Sequence, residues 1–416
     1  MWNKTYCLVK SNNYYFLVLF FGLFFANHMS VSAQEVKKEN VSKQFLRGSI
    51  SADYSYFNKT PFKQNQLSQY LSLLITGEYK YVKGKFKFTA EPYLRLDAID
   101  TYRSHLDMRN LYLTYWNKNI SVNAGMRLYT LGKFTGFSLV DILNRIDEKE
   151  SILDFKKLGQ PSIDIKYLRK SFTFEIYFMP YLRSVNFNAD KSRLLLIPFE
   201  IDNNAKIFES KHKEYFPNIA SRIGYKNNNT EIVLGYYHGY NKNPDIIYQP
   251  ANQTFTEFYP IMSQWSLEWQ SIYKGITFTS ELINQTYKGN KNYFGLHVAL
   301  GYDISKHYQG SSTMNISIEY INDKYRISRN APFGNNFITL YRLNLGDINS
   351  TVFSAKVFSN QDLKYHFFDV NLTRRVLNEF KITGKFSFSS GRIEEDNPLY
   401  LNDFNTYSGI KIDWFF

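Results

Sequence analysis

Cysteine and long apolar runs are what this 416-residue sequence has least of. Its only cysteine is Cys7, so a disulfide-stapled fold and any cysteine-based zinc or iron–sulfur site are excluded. After the first thirty residues no stretch approaches the roughly 20 apolar residues that a spanning helix needs, which excludes a helical membrane protein. Phosphate-binding glycine loops are also missing, because the glycines at 132–136 and 384–391 lack a strand, loop and helix setting.

Aromatic residues are abundant instead. The chain has 36 Phe, 34 Tyr and 5 Trp, while its mean hydropathy is −0.38. So many rings in a chain that is polar on average are unusual for a soluble domain, and they exclude a disordered chain. Lys and Arg number 50 against 37 Asp and Glu, which gives a formal net charge of +13.

The first 33 residues have the pattern of an export signal. Basic residues precede an apolar run at 16–26, and the small residues of Val31-Ser32-Ala33 precede Gln34. We therefore predict a signal peptide over 1–33 that is cleaved near Ala33, followed by a short N-terminal extension over 34–44. The alternative is a retained membrane anchor, although the apolar run is only about a dozen residues long.

From Phe45 onward, apolar and polar side chains alternate along about eighteen segments. Phe86, Phe88 and Ala90 share one parity, for example, and Lys87 and Thr89 share the other. Successive side chains of a strand point to opposite faces, so this pattern is typical of a wall between lipid and a wet lumen. Such a sheet must close, because unpaired strand edges cannot lie in hydrocarbon.

The predicted fold class is therefore all-β: a transmembrane up-and-down antiparallel β-barrel of about 16–18 strands over residues 45–416. Short connections such as 82–84 alternate with long polar ones such as 183–217, as this topology requires. A soluble β-sandwich is the alternative. A sandwich of this length would be expected to divide into several linked domains, and no linker is visible.

The last strand, Gly409 to Phe416, ends the chain on Phe. It resembles the terminal strand that outer-membrane barrels present to their assembly machinery. Together with the export signal, it predicts the outer membrane of a Gram-negative bacterium, with lipid, lipopolysaccharide and the barrel assembly machinery as partners. The other fate is a secreted soluble β-protein whose apolar faces are covered by a second sheet.

Residues 129–161 break the alternation. Ser138 and Asp141 have the spacing of a capping box, and apolar residues follow at helical spacing, so we predict a short amphipathic helix from Leu139 to about Ile146. The segment is expected to fold into the lumen, where it would narrow the pore. The alternatives are that it covers the outer mouth, or that it is a surface loop with no role in transport.

Residues 105–185 carry a family resemblance. Leu131-Gly132, then Asp141-Ile142-Leu143-Asn144-Arg145-Ile146-Asp147, then Tyr177-Phe178-Met179-Pro180 follow a wall strand in this order. The arrangement is similar to alginate-export-like, porin-like outer-membrane barrels of Gram-negative bacteria. This sequence departs from the family pattern at two positions, because Leu131 stands where the family usually has Trp and Arg145 stands where it has Pro. The resemblance implies a passive barrel with an internally folded loop and names no solute.

Charged residues of the polar parity are expected on the lumen wall, and cations outnumber anions among them. This balance suggests an anion preference as a hypothesis. The alternative is that the excess charge binds anionic lipopolysaccharide head groups. The wall residues singled out are Glu91, Arg95, Glu175, Arg222 and Lys356.

No catalytic, cofactor or metal site is predicted. His238 has outward parity, His297 has no Ser or Asp beside it in sequence, and the other histidines lack ligand spacing. Alternating basic and aromatic residues, as at 85–88, superficially suggest a nucleic-acid platform, but export makes nucleic acid an unsuitable partner.

The predicted function is a porin-like channel for passive diffusion of small hydrophilic solutes, with anions preferred. The alternative is a blocked barrel that acts as a structural or surface-interaction protein through loops 183–217 and 241–258, and a barrel enzyme is a third. An energy-coupled receptor is excluded, since a plug and a roughly 22-stranded barrel exceed this length. The expected pore-constriction residues are Arg127, Lys133, Asp141, Asn144, Arg145 and Asp147.

Overall fold

The computed structural model describes most of the chain from residue 42 onward. The predicted signal peptide and residues 34–41 of the predicted extension lie outside the described residues. The described ranges are 42–61, 66–134, 137–147, 149–150, 156–184, 192–193, 201–250, 253–289, 291–304, 312–328, 334–392 and 400–416.

The alternating segments, rich in Phe, Tyr, Ile and Val, form strands, as such residues favour on a pleated surface. In chain order the strands are β1 (Lys43–Phe57), β2 (Gln69–Lys83), β3 (Phe86–Asp97), β4 (His105–Asn117), β5 (Ile120–Arg127), β6 (Gln160–Arg169), β7 (Phe172–Met179), β8 (Ile207–Phe208), β9 (Asn218–Lys226), β10 (Thr230–Tyr240), β11 (Asp245–Gln249), β12 (Thr254–Tyr259), β13 (Ile261–Tyr273), β14 (Ile276–Tyr287), β15 (Lys291–Asp303), β16 (Thr313–Asp323), β17 (Asn335–Asn344), β18 (Val352–Asn360), β19 (Tyr365–Arg375), β20 (Phe380–Gly391) and β21 (Tyr407–Phe415).

Eighteen of these strands form one closed antiparallel sheet. When β8, β11 and β12 are left out, each strand pairs with its neighbours in chain order. The first strand, β1, also pairs with the last, β21, with Ile50 opposite Trp414. The predicted all-β, up-and-down barrel and its strand number are therefore confirmed. The remaining strands β8, β11 and β12 form a small separate sheet in which β12 pairs antiparallel with β11 and parallel with β8.

The two faces of the barrel wall differ as the alternation requires. In β7, Phe174, Ile176 and Phe178 are exposed on the outside, whereas Tyr177 and Met179 are buried. Exposed Phe, Ile, Leu and Trp side chains recur around the barrel, including Trp265 at 64% exposure. A continuous apolar exterior of this kind is stable in hydrocarbon and not in water, so the barrel is one that spans a membrane.

Turns of two residues lie at one end of the barrel. The turns after β2, β4, β6 and β13 have two residues each, and Gly84 and Lys274 take positive φ values of 56° and 48°, as tight hairpin turns require. Long connections occupy the opposite end, where short helices lie at Lys324–Ser328 and Tyr400–Asp403 and 3-10 turns at Thr101–Arg103 and Lys213–Tyr215. In the described part of the chain, no helix has the length and apolar character to cross a membrane.

The described residues of the connection between β5 and β6 fold into the lumen. Leu131, Leu139 and Leu143 are buried in a cluster with inward side chains of other wall strands, such as Met262 on β13 and Ile283 on β14. These contacts join the segment to the inner wall, which is the placement favoured from the sequence. We call residues 128–159 the inward loop.

The short helix predicted from Leu139 to Ile146 is wrong. The segment has a turn at Leu139 and Val140, and Ile146 then forms a β-bridge with Lys157. The end of the segment bonds to the returning chain: the Arg145 carbonyl accepts from the Leu158 N–H at 2.9 Å, and the N–H of the following residue, Asp147, donates to the Lys156 carbonyl at 2.6 Å. Because these bonds satisfy the peptide groups, the helical pattern is overridden.

Candidate solute pathway

The Glu281 carboxylate fixes the first part of the inward loop to the barrel wall. Glu281, on β14, accepts hydrogen bonds from the Leu139 N–H at 2.8 Å, the Ser138 hydroxyl at 2.9 Å and the Lys133 N–H at 3.1 Å. Ser138 therefore binds the wall instead of capping a helix. Gly132 has φ +84°, and a Cβ there would lie 2.2 Å from Ser138 Oγ, so this close approach requires glycine.

Asn144 holds the two ends of the inward loop together. Its Nδ2 donates to the carbonyls of Arg127 and Leu158, both at 2.8 Å, and its Oδ1 accepts from the Tyr129 N–H at 2.8 Å. All three partners are backbone groups at the points where the inward loop leaves β5 and returns to β6. Asn144 thus positions the inward loop and is buried away from the solute space.

A cavity of about 540 Å³ lies beside the start of the inward loop, against strands β3 to β7, β9 and β10. Many of its lining residues, such as Lys87, Ser121 and Thr173, lie in the halves of these strands next to the short turns, and residues 128–133 of the inward loop complete the lining. We call this cavity the vestibule. Its lining carries six cations and three carboxylates, which are Lys87, Arg127, Lys133, Lys166, Arg222, Lys226, Asp164, Glu175 and Glu231.

Each vestibule carboxylate is shared by more than one donor. Glu175 pairs with Lys166 at 2.8 Å and with Arg222 at 3.1 Å, and Arg222 also reaches Glu268 at 2.6 Å. Glu231 pairs with Lys133 and, at 3.5 Å, with Lys226.

The third vestibule carboxylate is held in the same way. Asp164 pairs with Arg127 and accepts from the Tyr129 hydroxyl and the Asn123 amide, both at 2.7 Å. Six cations line the vestibule against three carboxylates, and Glu268 adds a fourth behind Arg222, so the vestibule keeps a net positive charge.

A second ion-pair network joins the far end of the inward loop to the wall. Arg95 binds both oxygens of Glu150, at 2.7 and 3.1 Å, and Arg103 donates to the carbonyls of Lys149 and Glu150. Burial alone would raise the pKa of the Glu150 carboxyl, but the Arg95 guanidinium and the Lys156 ammonium hold that pKa well below its ordinary value.

His105, Asp147 and Glu150 form a group with the chemistry of metal ligands. Their ligand atoms lie within 4.8 Å of one another, with His105 Nε2 at 3.2 Å from Asp147 Oδ2 and 3.5 Å from Glu150 Oε1. Both Glu150 oxygens, however, already accept from Arg95 or Tyr93. With such cationic neighbours the group is an ion-pair clamp on the inward loop. Sequence spacing missed it, because His105 is more than forty positions away from Asp147 and Glu150.

The six predicted constriction residues do not meet in one ring. Arg127 and Lys133 line the vestibule, whereas Asp141 is paired with Lys157 inside the inward loop. Arg145 is buried against the Tyr259 hydroxyl and lies 3.7 Å from Glu257. Asn144 and Asp147 hold the inward loop, as described above.

The predicted wall residues all have inward parity. Glu91 accepts from Asn110 at 2.6 Å, and Lys356 shares the parity of the buried Phe358. Arg95, Glu175 and Arg222 belong to the networks described above. Asp164 and Glu231 were missed, although their parity could have identified them, and Glu150 gave no sequence signal because it lies in the irregular loop.

Two histidines lie close to serines, as a catalytic base and nucleophile would in the alternative of a barrel enzyme. His238 Nδ1 lies 2.9 Å from Ser263 Oγ, and His366 Nδ1 lies 2.7 Å from Ser359 Oγ. Among the described residues no carboxylate orients either imidazole, which a nucleophile and base pair requires. His297 is buried, stacked on Phe134 with ring centroids 3.4 Å apart, and lies 3.2 Å from Glu319.

No family model matches the chain, and no curated protein matches it either. Solved structures do resemble it. The BenF-like porin from Pseudomonas fluorescens Pf-5 gives a TM-score of 0.54 at 10% identity, with 90% of this chain and 98% of that chain covered. Pseudomonas aeruginosa OccD3 (OpdP) gives 0.51 at 10% identity, with 94% and 97% covered, and OpdQ gives 0.51 at 8% identity, with 92% and 99% covered. At these identities the likeness concerns the fold, which is that of a porin-like β-barrel.

Proposed function

We propose that this protein is an outer-membrane channel through which small hydrophilic solutes diffuse passively, with anions preferred. The observation that carries the proposal is the vestibule, a polar cavity of about 540 Å³ inside an apolar barrel, lined by six cations and three carboxylates. A net positive potential in a narrow wet space raises the local concentration of anions. The porin-like fold agrees with this role.

The inward loop is the proposed constriction. Arg127 and Lys133 lie where it leaves the wall, so they are placed to set the charge that a solute meets. The export signal over 1–33, and recognition of the strand ending at Phe416 by the barrel assembly machinery, belong to the same proposal. So does the closer kinship with alginate-export-like barrels, which the order of motifs in 105–185 supports.

The test is single-channel current of the refolded mature protein in a planar bilayer under a KCl gradient. Discrete current steps are expected, with a reversal potential whose sign indicates selectivity for anions. The informative variant replaces Lys87, Lys166 and Lys226 together by Gln. Glu175 then keeps Arg222 and Glu231 keeps Lys133, so no carboxylate loses its last partner.

The triple variant should lose most of the anion preference while it folds normally. A matched control replaces Lys211, Lys288 and Lys364, which are exposed on connections outside the vestibule lining, by Gln and removes the same total charge. An equal shift in both triples would show that the vestibule does not set the preference, and cation selectivity in the parent would contradict the proposal.

A blocked barrel is the second candidate, because the inward loop fills part of the lumen with packed side chains such as Leu143, which is fully buried. Deleting residues 133–156 separates the two functions. A constricted channel should conduct more after the deletion. A folded parent that never conducts, judged by heat-modifiable gel mobility, would favour the structural role.

A further inference from the structure

Lys242 is a buried amine that has no acceptor in the part of the chain that the structure describes. It lies two residues after the end of β10, and it is 3% exposed. Its Nζ is buried and has no hydrogen-bond partner among the described residues. The flanking Asn241 is occupied, since its amide donates to the Tyr287 hydroxyl at 2.9 Å and its Oδ1 accepts from the Asn243 N–H at 3.0 Å. An ammonium group buried in this way is strongly unfavourable unless an anion neutralises it.

A small cavity lies beside this lysine. Its volume is about 60 Å³, and it is bounded on one side by the inward loop from Phe137 to Ile146 and on the other by residues 241–243. One water needs roughly 10–15 Å³ on this measure, so the cavity has room for a halide or a small oxyanion.

The charges around the cavity leave one positive charge unbalanced. Lys157 is paired with Asp141, and Arg326 lies 3.6 Å from Asp323. Among the described residues that line the cavity, Lys242 is left without a counter-charge. Burial, together with the nearby Arg145 guanidinium, lowers the pKa of the Lys242 ammonium to about 7. A bound anion would favour the protonated form, so anion binding and proton uptake should be linked.

We propose that the cavity beside Lys242 binds one small inorganic anion, with the Lys242 ammonium as its principal donor. The anion would lie between the inward loop and the turn after β10, and it would tie the two together. The proposal goes beyond channel function and does not depend on it, because no step requires conduction.

The probe is bromide, exchanged for gluconate at constant ionic strength in detergent solutions of the refolded mature protein. The thermal unfolding midpoint, followed by tryptophan fluorescence, should rise with bromide and saturate. The apparent dissociation constant should be at least about tenfold smaller at pH 6 than at pH 9, since only the ammonium form binds. Crystals soaked in bromide should show one anomalous peak within hydrogen-bond distance of Lys242 Nζ.

Lys242→Met should abolish the saturable rise, whereas Lys364→Met, which alters an exposed turn, should retain it. If Lys242→Met does not fold, the parent's pH dependence and the bromide peak decide the matter alone. A rise that does not saturate, an equal rise in both variants, or no peak at Nζ would overturn the proposal. The absence of single-channel current in the bilayer would count only against the proposed channel function.

Discussion

Glu150 lies where the inward loop meets the wall, and both of its oxygens accept charged hydrogen bonds. Arg95 binds them at 2.7 and 3.1 Å, and Lys156 lies 3.4 Å away. The alternation along β3 predicts the inward direction of Arg95, and likewise that of Glu175 and Arg222 on their strands. It does not predict the partner of Arg95, because Glu150 is brought to it by the path of an irregular loop. Which residues face inward is local information, whereas which charges meet depends on the whole lumen.

Glu150→Gln should destabilise the folded barrel at pH 7 by about 3 kcal/mol, since it leaves Arg95 buried without a counter-charge. The pKa of Glu150 is lower in the folded than in the unfolded state. Its stabilising contribution is therefore present above the ordinary glutamate pKa of about 4.3 and is lost as the pH falls below it toward the folded value. Urea unfolding from pH 7 down to pH 3, followed by gel mobility, measures both effects.

Asp362→Asn is the matched control for this change, because Asp362 is an exposed acid on a turn and its side chain is 56% exposed. It should unfold like the parent at every pH. If Glu150→Gln and the parent lost stability in parallel below pH 4, the carboxylate would not carry the acid dependence.

At the scale of elements, the inward loop shows where sequence patterns stop being sufficient. Ser138, Leu139 and Ile146 have helical spacing, yet tertiary partners decide the conformation. The Glu281 carboxylate accepts hydrogen bonds from the Ser138 hydroxyl and the Leu139 N–H. The Arg145 carbonyl accepts one from the Leu158 N–H on the returning part of the inward loop. A spacing rule assumes that backbone groups bond within their own segment. In this lumen the wall and the returning chain supply some of those bonds. The sequence therefore predicts that a packed inward segment exists, but it does not predict the backbone conformation of that segment.

Asn144→Ala should loosen the inward loop without unfolding the barrel. The change removes three hydrogen bonds and leaves the Tyr129 N–H and the Arg127 and Leu158 carbonyls without that partner. At about 1 kcal/mol per bond, the local opening free energy should fall by roughly 3 kcal/mol. Faster amide hydrogen exchange in 129–159 and larger current fluctuations are expected.

The control for the inward loop is Asn229→Ala, in an exposed turn between β9 and β10. It should leave exchange in 129–159 unchanged. Unaltered exchange in Asn144→Ala would mean that Glu281 and the apolar cluster alone fix the inward loop.

At the scale of the whole molecule, closure is the step that a strand pattern implies and does not specify. The number of strands, their order and their inward faces follow from a period of two and from the turns. The seam between first and last strands depends on long-range contacts. Ser51 donates to Asp413 at 2.7 Å, and the backbone groups of Gly48 and Phe416 exchange hydrogen bonds of 3.0 and 3.1 Å.

The seam is tightest at Gly48. A Cβ there would lie 2.4 Å from the Phe416 ring and 2.8 Å from the Thr76 carbonyl oxygen, so Gly48→Val cannot be accommodated without displacing the last residue. Gly384→Val is the matched control, because it adds the same side chain to another strand where the nearest atom would be 3.5 Å away. Valine favours strands, so the control should be neutral or slightly stabilising.

Gly48→Val should therefore lower the refolding yield into lipid vesicles and the temperature at which the folded band disappears on gels, while Gly384→Val should change neither. The direction follows from closure: without the Phe416 contact, β1 and β21 expose unpaired edges, which are costly in hydrocarbon. If both variants refolded equally well, the close packing of Phe416 on Gly48 would not contribute to closure, and the backbone pairing of β1 with β21 would be sufficient to hold the barrel shut.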